Sequence, residues 1–259
     1  MTNTGTARTF DDLVAEADAA DIDGWDFSWL EGRATEQRPS WGYHRLMAAR
    51  LAAAHAALDL DTGGGEVLNE AAVLPPLAAA TEGWAPNLAK ATRLLRPRGV
   101  VVVRDDAAGP LPFADEAFDL VTSRHPVAVQ WDEVARVLEP GGTYLAQHVG
   151  PRSVFELVEY FLGPQPAHVR SGRHPDRARE GAAAAGLDLV DLRYEELHTE
   201  FCDIGAVVYF LRKVVWMVPG FTVDEYRETL RALHEQILAD GPFQATTTRF
   251  LVEARKPAR

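Results

Sequence analysis

The segment Asp59-Leu60-Asp61-Thr62-Gly63-Gly64-Gly65-Glu66 joins carboxylates to three consecutive glycines. Glycine has no Cβ, so a ligand can lie directly against the backbone there. A helix starting after the glycines would open with N–H groups that have no intrahelical partner. Two common ligands fit poorly. A dinucleotide turn needs G-x-G-x-x-G/A, and counting from Gly63 puts Leu68 where the third small residue belongs. No Gly-Lys-Ser/Thr follows, so a Walker-type phosphate loop is absent. Glu66 at the helix start would also repel a pyrophosphate. These acids better suit a ligand with an amino acid end, a ribose and a cationic centre.

Such a turn needs a strand before it and a helix after it. Residues 56–61 read as that strand and 66–72 as that helix. Further strands are expected at 77–81, 100–104, 118–123, 143–149, 187–198 and 246–254. Helices are expected at 86–95, 131–138, 153–162 and 175–185, with Pro140-Gly141-Gly142 stopping the second of these. This alternation predicts an α/β fold, a seven-stranded, mostly parallel sheet with helices on both faces. In an open parallel sheet, ligands settle outside the carboxyl ends of the strands.

The first 55 residues read as helical and irregular. Phe10, Leu13, Val14 and Ala17 recur at helical spacing, and a turn follows at Glu31-Gly32-Arg33. A helix is expected over 41–54 with Ser40 as its N-cap. Before the last strand, roughly 45 residues carry two helical patterns, 204–217 and 223–239, far more than a usual connection. The expected organisation is an N-terminal helical lid (1–55), a core (56–200), a helical cap insertion (201–243) and a last core strand (244–259).

Four more motifs follow the glycine turn in order. Thr81-Glu82-Gly83-Trp84 closes the second strand and Asp105-Asp106-Ala107 follows the third. Leu111-Pro112-Phe113-Ala114-Asp115-Glu116-Ala117-Phe118-Asp119-Leu120-Val121 enters the fourth, and Arg136-Val137-Leu138-Glu139-Pro140-Gly141-Gly142 enters the fifth. Over about residues 40–150 this series resembles the class I S-adenosylmethionine-dependent methyltransferases, type 11-like and of the small-molecule kind. Asp59 matches the family's acid, and Gly63 and Gly65 match two of its glycines. Asp61 stands where the first glycine is usual, and Asp tolerates unusual backbone angles better than most residues.

The resemblance implies a Rossmann-like core with S-adenosyl-L-methionine as cofactor. It implies a cofactor-binding set of Asp59, Asp61, Thr62, Gly63, Gly65, Glu82, Gly83, Trp84, Asp105, Asp106, Ala107, Ser123, Arg124 and His125. In the family an acid at the place of Glu82 holds both ribose hydroxyls, and a carboxylate can accept two hydrogen bonds from a vicinal diol. An acid after the third strand lies near the adenine amino group. Asp106 is favoured over Asp105 because Ala107 follows it.

Methyl transfer is an in-line displacement at a sulfonium methyl, and holding acceptor and methyl aligned is the enzyme's main contribution. A hydroxyl or protonated amine acceptor also needs a base. His125 and His148 stand at the ends of the fourth and fifth strands and are the candidate catalytic bases. A structural role is the alternative for each. The Asn-Pro-Pro-Tyr/Trp motif of amino-directed DNA and protein methyltransferases is missing, which favours a small-molecule oxygen, carbon or nitrogen acceptor. No metal site is expected, since His44, His55, His168 and His174 lack ligand spacing. Trp25, Phe27, Trp29, Trp41 and Tyr43, with Tyr209, Phe210, Trp216 and Phe221, could line an apolar acceptor pocket or pack on one another. Arg33 and Arg38 could reach the cofactor carboxylate, and neither is assigned that role.

Composition bounds the rest. Thirty-eight acids against 26 bases give a net charge of −12, which repels phosphate backbones, so no nucleic-acid partner is expected. Cys202 is the single cysteine, which excludes an internal disulfide and suits a reducing cytoplasm. Residues 1–10 hold no apolar signal core, and no stretch reaches the roughly 20 apolar residues of a membrane span. The expectation is a cytoplasmic enzyme acting on a small-molecule methyl acceptor, away from membranes, with a homodimer left open. Two other readings remain: a cofactor-binding protein without turnover, such as a sensor, and an RNA methyltransferase. The acidity and the lack of a basic stripe argue against the last.

Overall fold

The computed structural model describes residues 8–106 and 109–259. Its helices are α1 (Phe10–Ala19), α2 (Tyr43–Ala53), α3 (Glu66–Asn69), α4 (Ala85–Leu95), α5 (Trp131–Val137), α6 (Phe155–Leu162), α7 (Ala167–Arg170), α8 (Pro175–Ala184), α9 (Ile204–Lys213) and α10 (Arg227–Asp240). Its strands are β1 (Ala34–Glu36), β2 (Ala56–Leu60), β3 (Leu77–Glu82), β4 (Val101–Arg104), β5 (Phe118–Arg124), β6 (Leu138–Val149), β7 (Asp188–Phe201) and β8 (Phe243–Arg255).

The strands hydrogen-bond in the order β1-β7-β8-β6-β5-β2-β3-β4. From β4 across to β6 the pairing is parallel; β8 is antiparallel to β6, and β1 to β7. The sheet therefore has eight strands among the described residues, not the seven expected. The added strand is β1, which pairs Ala34 with Phe201 and Glu36 with Thr199. Three residues are too few to show a period of two, and their partner lies far along the chain.

The chain divides into two compact units. One gathers Met1–Gln37, Arg152–Arg170 and Leu197–Thr247; the other gathers Arg38–Pro151, Ser171–Glu196 and Thr248–Arg259. In the first unit, Thr9 and Asp12 form a capping box that starts α1. The apolar face of α1 (Phe10, Leu13, Val14, Ala17) is buried in one cluster with Ile204, Val207 and Leu211 of α9 and Leu230 and Leu233 of α10. The Asp203 carboxylate accepts the Ala206 N–H at 2.9 Å and so caps α9.

In the second unit, side chains alternate across the sheet. Leu58, Val121, Tyr144 and Phe250 join one cluster with Val134 of α5 and Ala178 of α8. Ala57, Leu120, Leu145 and Leu251 join another with Met47 of α2 and Leu95 of α4. Helices thus cover both faces, as parallel strands require. Helix α2 begins at Tyr43 rather than at 41, because Gly42 (φ +62°) turns the chain left-handed as its cap. Ser40 instead donates its N–H to the Glu195 carboxylate at 2.9 Å. Helix α3 stops at Asn69, short of the expected 72; the Arg98 guanidinium takes the carbonyls of Asn69 and Ala71 that a longer helix would use. No described helix is long and apolar enough to cross a membrane.

Candidate functional site

The chain leaves β2 and enters α3 through Asp61-Thr62-Gly63-Gly64-Gly65. Asp61, Gly63 and Gly65 have left-handed φ of +53°, +64° and +83°. Glycine adopts that region freely and Asp is among the few others that tolerate it, so Asp61 reproduces the backbone shape of the glycine it replaces. The Thr62 N–H donates to the Thr81 carbonyl at 2.9 Å, and the Gly65 N–H to the Thr62 carbonyl at 3.2 Å. A Cβ on Gly65 would stand 2.8 Å from Leu95 Cδ1, so the turn packs tightly on α4. The Glu66 carboxylate folds back over Gly64 and meets Lys90 at 2.5 Å. That pairing offsets part of the repulsion expected of Glu66.

Four acids surround this turn. Asp59 is buried and accepts from the Thr122 hydroxyl at 2.6 Å. Burial pushes its carboxyl up to about 6, against the pull of that hydrogen bond. Asp61 touches solvent yet is crowded by protein atoms, and its carboxyl is pushed up to about 6, by desolvation first and then by the charges of Glu82, Asp105 and Asp59. Glu82 is buried at the end of β3, where Oε1 accepts the Trp84 N–H at 2.7 Å. Its Oε2 has no protein donor among the described residues. Gly83 lets two chains touch, since a Cβ there would lie 2.7 Å from the Asp105 carbonyl and 3.2 Å from Asp106 Cα. The Asp105 N–H donates to the Glu82 carbonyl at 3.3 Å. Of the adjacent acids, Asp105 is the one whose charge bears on Asp61. Trp84 opens α4 half-exposed, and Ala107 lies outside the described residues.

Two buried polar groups that the sequence did not single out add to this site. Asn87 shares a helix face with Ala91 and Leu95, which pack on Gly65, and its Nδ2 has no partner among the described residues. The Tyr144 hydroxyl on β6 is also buried without a described partner, near enough for the Asp61 charge to raise its pKa further above the lift from burial. A buried donor left unmade is costly, which points to a polar ligand. An Asn one helical turn before a glycine-packing Ala was the only sequence signal; Tyr144 left none.

The histidines occupy a different part of the rim. His125 (φ +59°) follows β5 and donates its N–H to the Gln147 carbonyl at 2.7 Å. Its Nε2 lies 3.0 Å from Gln147 Nε2, while Gln147 Oε1 accepts the Trp41 indole N–H at 2.8 Å. An indole nitrogen can only donate, so the Gln147 amide turns its N–H toward His125. His125 Nε2 therefore accepts, and its proton sits on Nδ1. Burial, then the charges of Arg124, Arg249, His148 and Arg173, hold the His125 pKa well below the usual range. His148 projects to the opposite face of β6 and stacks on Phe250 with ring centroids 4.5 Å apart. Burial and then Arg173 bring its pKa down to about 3, and its Nε2 has no partner among the described residues. Both imidazoles are neutral at pH 7.

Ser123 joins β5 to β2 by donating from its hydroxyl to the Leu60 carbonyl at 3.1 Å, and Tyr43 donates to the Ser123 carbonyl at 2.9 Å. Arg124 is exposed at the end of β5. The described residues of the expected cofactor set thus all lie at the carboxyl ends of β2 to β5 or in the loops beyond, within the second unit. The aromatic set divides instead. Trp41 and Tyr43 are core residues of the second unit, while Trp25 contacts Phe27 and Trp216, and Trp29 stacks on Tyr209, in the first. Arg33 is also in the first unit, paired with Asp203 at 3.0 Å and lying over the Trp29 ring.

Residues 58–146 match the methyltransferase domain family, a span containing the glycine turn, Glu82, Asp105 and His125. The chain is 30% identical over 127 residues to the biotin biosynthesis bifunctional protein BioHC of Teredinibacter turnerae, covering 46% of this chain and 21% of that protein. It is 33% identical over 91 residues to the malonyl-(acyl-carrier protein) O-methyltransferase of Dechloromonas aromatica, covering 32% of this chain and 34% of that protein. It thus spans well under two thirds of either curated relative. The YcgJ protein from Bacillus subtilis shares the fold, with a TM-score of 0.60 at 20% identity over 84% of this chain and 99% of that one. Residues 58–146 thus carry the methyltransferase domain pattern, and the ordered motifs and mostly parallel sheet around them are similar to those of the class I S-adenosylmethionine-dependent methyltransferases.

Proposed function

We propose that this chain transfers the methyl group of S-adenosylmethionine to a small-molecule acceptor. The observation that carries this reading is the packing of Asp61, Glu82 and Asp105 around a glycine turn, close enough for their charges to repel. Such a cluster is relieved by a cation. The groups present fit the cofactor: acids for its ammonium and sulfonium, a half-used carboxylate on Glu82 for its diol, and unpartnered donors on Asn87 and Tyr144. The relative named as an O-methyltransferase supports methyl transfer as the reaction.

When bound, the cofactor supplies a methyl carbon made electrophilic by its sulfonium. Gly63 and Gly65 let the ligand approach the backbone. The Trp84 N–H fixes one Glu82 oxygen and thereby aims the other. Trp41 and Gln147 lock the ring of His125, so this histidine shapes the rim rather than cycling a proton. Positioning is thus the main work of the site.

Calorimetric titration of the whole chain with S-adenosylmethionine, followed by turnover over a panel of acceptors, tests the reading. Glu82→Ala is expected to weaken binding by more than about tenfold, since a buried diol loses its acceptor. An unchanged affinity would sink the assignment of Glu82. Tight binding with no turnover on any acceptor would favour the sensor-type alternative.

A further inference from the structure

The first unit holds a cavity of about 600 Å³ between one face of α1 and the turn that leads into α10. Asp11, Val14, Ala15 and Asp18 recur at helical spacing and form the α1 wall. Phe221, Val223 and Asp224 of the turn form another, with Arg212 from the end of α9 and Arg227 from the start of α10. The volume falls within the roughly 300–1,000 Å³ of small-molecule sites. Every wall residue belongs to the first unit, whereas the glycine turn and its acids belong to the second.

The wall carries three carboxylates against two guanidiniums. Both guanidiniums are committed. Arg227 pairs with Asp11. Arg212 Nε lies 3.3 Å from Asp18, and its Nη1 donates to the carbonyls of Ala17 at 2.6 Å and Ala20 at 3.1 Å. Arg231, outside the wall, lies 4.0 Å from Asp11 and is spent over the Phe10 ring at 4.4 Å. Asp224 is exposed and has no partner among the described residues. The surplus charge of the wall is therefore negative and sits on Asp224.

The apolar part of the wall is fixed in place. Val14 is buried in the core of the unit. The Phe221 ring stacks on Tyr226 with centroids 5.6 Å apart and meets Phe161 edge-on at 6.0 Å. A ring face attracts a cation within about 6 Å of its centroid. An anion entering here would meet an unbalanced carboxylate, and a neutral molecule would leave that carboxylate unpaired. An ammonium on an apolar body satisfies both parts of the wall.

We propose that this cavity is a second ligand site, taking an organic ammonium ion with its charge on Asp224 and its apolar body against Val14, Ala15 and Phe221. The site is independent of the methyl-transfer reading and stands whether or not the chain turns over a methyl acceptor.

Calorimetric titration of the full chain with hexylammonium and phenethylammonium, beside hexanoate and hexanol, tests it. The ammonium ions are expected to bind with a Kd of about 1 mM, and the acid and the alcohol at least about fivefold more weakly. Asp224→Asn should weaken ammonium binding about fivefold and flatten its dependence on salt. Phe221→Leu, which keeps an apolar side chain but loses the ring, should weaken it about threefold. Ala15→Phe fills the cavity from the exposed face of α1 and should abolish binding while the thermal midpoint holds. Ammonium binding undiminished in Ala15→Phe places the ion elsewhere, the acid cluster of the glycine turn included, and overturns the proposal. So does affinity unchanged in Asp224→Asn, hexanoate or hexanol bound as tightly as hexylammonium, or no binding of either ammonium ion below about 20 mM.

Discussion

Replacing Asp61 with asparagine removes a charge while keeping a side chain that tolerates left-handed φ. The Asp61 carboxyl is lifted from 3.8 to about 6, so the folded chain holds that proton more tightly than the unfolded chain does. Between those two values stability falls as pH rises, and above about 6 the full penalty remains. At 1.36 kcal/mol per unit the lift corresponds to about 3 kcal/mol. Asp61 touches solvent, which screens the repulsion, so roughly a third of that, about 1 kcal/mol, is the expected net effect. Asp61→Asn should therefore raise the thermal midpoint by about 2–4 °C at pH 7.5. At pH 4 the two proteins should melt together. Thermal unfolding at half-unit steps from pH 4 to pH 8 reads the difference. An increment of equal size at both ends of that range, or a variant less stable at pH 7.5, would refute the reasoning.

Other outcomes follow from the same geometry. Cofactor affinity should fall below about pH 6 as Asp61 takes up a proton, by at most about tenfold per pH unit for one proton; a flat calorimetric profile from pH 5 to 8 would contradict this. Gly65→Ala forces a side chain onto Leu95 at a left-handed φ and should cost about 1–3 kcal/mol in urea unfolding. Gly64→Ala, which meets only the movable Glu66 side chain, should cost clearly less, and equal costs would count against the packing argument. The ring protons of His148 should keep constant NMR shifts from pH 5 to 8, because its pKa is brought down to about 3, and those of His125, whose pKa is lowered by burial, should show no step near pH 6.5. A titration step near pH 6.5 would overturn the hydrogen-bond assignment for His125 and the burial argument for His148.

Much of the binding unit was legible because its signals are local. The glycine run, the acids at strand ends and the Pro-Gly-Gly turn each sit within a few residues and report one strand or one bend. Asp61 was visible as a departure, but only its φ of +53° shows that it keeps the glycine's shape. What stayed hidden depends on partners far apart in sequence. The tautomer of His125 is set by Trp41 and Gln147, 106 residues apart. Strand β1 exists only because the end of β7 lies beside it. Ser40 had the chemistry of an N-cap and lost the place to Gly42, whose backbone freedom the bend required.

The hydrogen bonds that run from Trp41 through Gln147 to His125 also have a direction. An indole N–H can give its bond but has no lone pair in the plane to take one back, so the order of donor and acceptor cannot reverse. The chain is therefore a dead end for protons: nothing released at the rim can be drained inward along it. His125 presents N–H, never a bare nitrogen, on the side away from Gln147, and it does so across the whole range in which the imidazole stays neutral. The interior behind β5 and β6 is in this sense insulated, and whatever proton accounting the reaction requires must be settled at the mouth of the site.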